Sequence, residues 1–163
     1  MGVSMKRDDL PKLLAAVKLL TRRQCLVGVP DKTAARDPEP GESSDINNAT
    51  LAYIHEFGSP AQNIPARPFL FPGIENAKPQ IVDLLKKAGA KALGGDIAEI
   101  DRVLNAVGII AVDAIQQKIE DGPFAPLKPG TLAARRRRGV TRTKPLIDTA
   151  AMQASITYVI RDK

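Results

Sequence analysis

The stretch IAEIDRVLNAVGIIAVDAIQQKIE, residues 97–120, is the most periodic in the chain and sets its fold. Ile100, Val103, Leu104, Val107, Ala111, Ala114, Ile115 and Ile119 recur at the spacing of one helix face. At ~1.5 Å per residue the predicted helix is about 36 Å long, enough to be the spine of a domain. Asp96 precedes it as a candidate cap, and Asp121-Gly122-Pro123 ends it.

Other elements extend outward from this spine. A second amphipathic helix is predicted to start at Pro79, with Ile81, Leu84, Leu85, Ala88 and Ala92 on one face, broken or kinked at Gly94-Gly95. Residues 8–22 read as a third helix, with Leu10, Leu13, Leu14, Val17 and Leu20 at helical spacing, Asp8 as cap and Pro11 in the first turn. Arg22 and Arg23 complement its negative end. Thr131 is expected to cap a short helix running to about Arg138, with Gly139 ending it. Two segments read as strands: Gln24 to Val29, where Gly28 suggests a bulge or a close backbone approach, and Ser155 to Arg161. Paired, they give an α+β domain over residues 1–163. It has a small antiparallel or mixed sheet, two or three amphipathic helices and long extended loops.

Composition narrows the function classes. Aromatics make up 4% of the 163 residues and Trp is absent, so the core is aliphatic. No run approaches the ~18 apolar residues of a membrane span, and Met1 to Lys6 lack a signal-peptide core. A cytosolic site of synthesis and no membrane contact are expected. Cys25 is the single cysteine, which excludes an intrachain disulfide and a multi-cysteine zinc site; it is expected to be a small core hydrophobe. His55 is the single histidine, so any histidine-dependent hydrolase has to use it. Glu99 and Asp101 point to different sides of their helix and read as solvated charges, and Gly94-Gly95 lacks the Lys-Ser/Thr of a phosphate loop. Asp148 reads as a turn or helix cap. No enzyme activity, cofactor or metal is expected.

The net charge of +6 is unevenly placed. Asp31 to Asp45 holds five acidic residues against two basic ones, within a polar loop over 31–47 that reads as flexible. Arg135 to Lys144 holds six basic residues and no acid. Blocks of opposite sign suit contact between subunits. Arg135, Arg136, Arg137, Arg138, Arg142 and Lys144 are candidates for contact with DNA phosphate in a channel or with an acidic neighbour. Four consecutive helical residues splay at ~100° each, so the run cannot form one flat patch. No aromatic stands near it, so base stacking is not expected.

The stretch YIHEFGSPAQNIPARPFLF, residues 53–71, joins a helix end to a turn and then to a proline-spaced arm. Asn47 or Asn48 is expected to cap a helix over 49–57 with Leu51, Ile54 and Phe57 inward, ended by Gly58 in a left-handed conformation. Pro65, Pro68 and Pro72 make the arm over 64–72 extended and stiff. Glu56 and Arg67 are expected to form an ion pair that closes the turn or fixes the arm's angle. Phe69 and Phe71 alternate along it, one inward and one outward. Glu56, Phe57, Arg67, Phe69 and Phe71 are therefore the candidate docking residues, because a stiff arm loses little entropy on association.

Two blocks carry a family resemblance. The first is Leu26-Val-Gly-Val-Pro30, Ala52-Tyr-Ile-His-Glu-Phe-Gly58 and Ile64-Pro-Ala-Arg-Pro-Phe69. The second is Pro126-Leu-Lys-Pro-Gly-Thr131, the arginines that follow, Pro145-Leu-Ile-Asp-Thr149 and Ser155-Ile-Thr-Tyr158. Together they resemble the neck and tail-completion proteins of long-tailed bacteriophages and the ending shared with virion-morphogenesis proteins. One departure is visible: the usual glycine after Leu-Ile-Asp-Thr is Ala150. The resemblance implies a virion protein, assembled in the host cytoplasm, that forms a sixfold or twelvefold ring of itself. That ring completes the tail and joins it to the DNA-filled head. Implied partners are the neighbouring neck and tail proteins and, non-specifically, genomic DNA. A tail terminator, a head-side adaptor ring and a stand-alone sequence-independent DNA-binding protein are the alternatives.

Overall fold

A computed structural model describes residues 10–36 and 46–163. The fold is α+β. Helix α1 (Leu10–Arg22) leads into strand β1 (Arg23–Gly28) and a single helical turn, α2 (Asp31–Ala34). Then come α3 (Asn48–Phe57), α4 (Leu70–Leu93), α5 (Ala98–Asp121), α6 (Pro129–Arg137), α7 (Ala151–Ser155) and β2 (Thr157–Asp162). The strands pair antiparallel, from Arg23 opposite Asp162 to Gly28 opposite Thr157. The ladder runs unbroken through Gly28, and a Cβ there would meet open space, so neither a bulge nor a close approach explains that glycine. Arg23 ties the ladder to the spine: its guanidinium holds Asp101 of α5 at 2.8 Å and Asp162 of β2 at 3.3 Å. Glu99 pairs with Lys91 at 2.9 Å and with Arg102 at 2.5 Å, so neither Glu99 nor Asp101 is merely solvated.

α4 and α5 form the antiparallel pair on which the rest is built. Their crossing is close because Gly73 carries no side chain: a Cβ there would lie 2.7 Å from the Cα of Ile115. One core cluster joins Phe69, Ile115, Ile119, Leu146, Met152, Ile156 and Ala52. Two smaller clusters, around Ala16, Ala92 and Ile100 and around Ala88, Val103 and Val107, lie further along the pair. Cys25 is half-buried, and burial raises its thiol pKa, so it is a poor nucleophile.

Several local expectations are corrected. α4 starts at Leu70, not Pro79; Pro79 lies inside it, and the extended arm therefore stops at Phe69. Asp96 makes no side-chain cap for α5, and Thr131 lies inside α6, whose start is set by Pro129. Of the 31–47 loop, Asp31–Ala34 is helical, and residues 37–45 lie outside the described residues, as does the cap expected at Asp8.

Candidate functional site: a capped turn and a basic cleft

α3 begins where Asn47 accepts a hydrogen bond from the Thr50 N–H at 2.8 Å, and it ends at Gly58. Gly58 has φ 78° but ψ 174°, so it takes the positive φ expected of it without the left-handed helical ψ. The face of α3 turned inward is Asn48, Ala52 and Glu56. Phe57, expected inward, points out and is 55% exposed.

Glu56 and Arg67 do not pair. Glu56 is buried, and its carboxylate accepts three backbone N–H bonds from the start of α4: Phe69 at 2.7 Å, Leu70 at 2.8 Å and Phe71 at 3.1 Å. A carboxylate at a helix N-terminus is favoured both by these charge-assisted bonds and by the helix dipole. Arg67 turns the other way. Its Nε donates to the Ala125 carbonyl at 2.8 Å and its Nη2 to Pro126 at 3.2 Å, while its backbone N–H donates to His55 at 2.7 Å. Lys128 adds a bond to the Asn63 carbonyl at 2.8 Å. Both ends of the turn are thus fastened, one to α4 and one to the linker after α5.

The two arm phenylalanines face opposite ways, as their alternation suggests: Phe69 is 0% exposed and Phe71 is 58% exposed. Phe71 stands in the first turn of α4 with its ring 6.2 Å from that of Phe57, which in turn lies 4.8 Å from Tyr53. Tyr53, one helical turn before Phe57, was not among the predicted docking residues; its i, i+4 spacing is the signal that finds it. Together the three rings make an exposed aromatic patch on a fixed turn.

The arginine run divides. Arg135 is 5% exposed; its Nη1 donates to the carbonyls of Arg142, Lys144 and Ile147 at 2.9–3.1 Å, and its Nε lies 3.5 Å from Asp148. Arg138 is half-buried and bonds Asp148 at 2.7 Å. Arg136 and Arg137 are exposed. Arg142 donates to the Asp148 carbonyl at 3.0 Å and Lys144 to the Glu120 carbonyl at 3.1 Å. Asp148 is therefore the hub of this region rather than a simple cap. The Ala150 that departs from the family pattern has φ 65°, the backbone conformation that favours glycine.

Between the turn and the arginine segment lies a cleft of about 730 Å³. Arg36, Arg67, Lys128, Arg135, Arg137 and Arg138 line it, with Asp148 the only carboxylate among its described lining residues. His55 also lines it. Burial, and then the charges of Arg67 and Arg135, push the His55 pKa down to about 4, so the imidazole is neutral at pH 7. Its Nδ1 is buried and has no hydrogen-bond partner among the described residues.

No family model matches the chain, and no solved structure matches it. One stretch of 42 residues is 42% identical to an uncharacterized protein of Methanocaldococcus jannaschii. That stretch covers 26% of this chain and 31% of the archaeal protein.

Proposed function

We propose that the chain is a non-enzymatic assembly subunit of a bacteriophage neck, forming a homo-oligomeric ring that completes the tail and joins it to the head. The observation that carries this reading is the aromatic patch of Tyr53, Phe57 and Phe71, exposed on a turn whose two ends are fastened by Glu56 and Arg67. Exposed aromatics on a rigid support gain contact area at small entropic cost, which is the chemistry of a docking surface. The resemblance of the two sequence blocks supplies the ring, the neck and its partners. A role in contacting channel DNA falls to Arg136 and Arg137, because Arg135 and Arg138 are engaged in the fold.

The test is the mass of the purified protein in solution, measured alone and with isolated tails. A ring formed on tails is the expected result, lost in the Tyr53→Ser, Phe57→Ser, Phe71→Ser variant while its melting temperature holds. A protein that ignores tails and binds duplex DNA as a monomer overturns the reading.

A further inference from the structure

The linker between α5 and α6 carries prolines at a fixed spacing. Pro123, Pro126 and Pro129 recur at every third residue of GPFAPLKP, residues 122–129, and all three are exposed. Residues 122–128 form neither helix nor strand. A proline drives the residue before it into extended backbone, and Gly122 (φ −67°, ψ 138°) and Lys128 (φ −63°, ψ 148°) both have polyproline II angles. The Phe124 N–H donates to the Gly122 carbonyl at 2.9 Å, a tight turn about Pro123, so the ridge proper is Ala125 to Pro129. At three residues per turn such a stretch brings Pro126 and Pro129 to one side, ~9 Å apart. Arg67 fixes it by taking the Ala125 and Pro126 carbonyls.

We infer that this ridge docks on the aromatic patch of a second copy of the chain. Each copy then offers Tyr53, Phe57 and Phe71 to one neighbour and Pro126 and Pro129 to the other. Rows of exposed aromatic rings bind proline-rich extended segments, because such a segment is already ordered and loses little entropy. The dimensions agree: the ring centres step by 4.8 and 6.2 Å, a row about as long as the ~9 Å polyproline turn. Area sets the stoichiometry. Aromatic side chains carry ~150–250 Å² each, so three rings at 55–65% exposure offer about 350 Å². That is less than half of the ~800 Å² per partner that a stable pair buries. One such contact does not hold a dimer, whereas a closed ring holds every copy on two sides. The same turn sets the angle between the two surfaces: Arg67 grips the ridge and Glu56 the backbone of Phe71. The inference rests on the ring reading for the identity of the partner, and it makes the contact between neighbours patch against ridge.

The probe is the capped peptide APLKPG, residues 125–130, added to the full chain without tails and followed by NMR of the aromatic rings. Shifts are expected at Tyr53, Phe57 and Phe71 and not at the buried Phe69, with binding ~10-fold weaker when both prolines of the peptide are alanine. In the chain itself, Pro126→Asp is an exposed change and is expected to abolish the ring on tails with the melting temperature unchanged. No ring shifts at millimolar peptide, or equal binding of the two peptides, overturns the inference. So does a ring that survives Pro126→Asp but not the loss of the three aromatic rings, because the patch then meets another protein of the tail. Peptide binding is read without tails, so the two readings fail separately. A peptide that binds while no ring forms on tails removes the neck reading and leaves the ridge contact standing.

Discussion

The turn at 53–71 and the segment at 129–150 face the same problem and answer it with opposite charges. In each, irregular backbone is gathered by one buried side chain. Glu56 collects three N–H groups at the start of α4; Arg135 collects three carbonyls of the 142–147 loop. The difference lies in what else each charge meets. Glu56 has a helix dipole to complement it and uses both oxygens. Arg135 shares Asp148 with Arg138, and its Nε makes no hydrogen bond. A lone buried anion can be complete where backbone amides converge. A buried cation that shares its carboxylate is held by the carbonyls it gathers more than by its ion pair.

The comparison is broken most forcefully at Arg135. Arg135→Ala leaves three carbonyls without their donor and takes one of its two cations from Asp148, and it is expected to destabilise by about 3–5 kcal/mol in a denaturant titration. Arg136→Ala, exposed on the same helix, is expected to leave the midpoint where it is; equal losses at both positions would show that the run acts as a unit. Glu56→Gln keeps one acceptor oxygen and puts a donor against the α4 amides, so a loss of about 1–3 kcal/mol is expected, visible as a lower thermal midpoint. No loss there would mean that α4 holds its own start.

A third test uses acid. The folded-state pKa of His55 is about 4, below the usual 6.5, so the unfolded chain binds the proton first. The stability this contributes is present in full above pH 6.5 and is lost as pH falls through that value toward 4. Urea midpoints of His55→Asn are expected to fall less between pH 6.5 and 5 than those of the parent; parallel curves would place the imidazole in solvent. The smallest effect is a gain. Ala150→Gly removes a Cβ from a positive-φ position and is expected to stabilise by ~1 kcal/mol. A lower melting temperature would show that the methyl group packs in a way its backbone angle does not reveal.

Regular periodicity made the long elements legible in sequence. Residues 97–120 announced α5, and the β-branched run after Ser155 together with Cys25–Val29 announced the antiparallel pair that forms. The start of α4 was hidden because its cap comes from Glu56, 13 residues before Phe69, and no local window contains both partners. Pro79 drew the boundary instead, since proline is favoured in a first turn, yet tertiary packing carries it inside a 24-residue helix. Phe57 was misplaced for a related reason: α3 turns Asn48 and Glu56 inward because their polar atoms have work there, and apolar spacing does not record that. The division of the arginine run followed from helix geometry, but its inward member did not. Arg135 is chosen by the carbonyls of a loop with no period to read.

The ladder between β1 and β2 also orders the folding reaction. Arg23 and the Asp162 carboxylate that it holds are 139 positions apart. The α4–α5 hairpin needs only the short Gly94-Gly95 connection to close. Loop-closure entropy rises with the chain enclosed, so the helical hairpin is the early event and the strand pair the late one. Until the ladder zips, Leu26 and Val159 stand on unpaired strands, and the partly folded chain is most open to wrong partners at that moment.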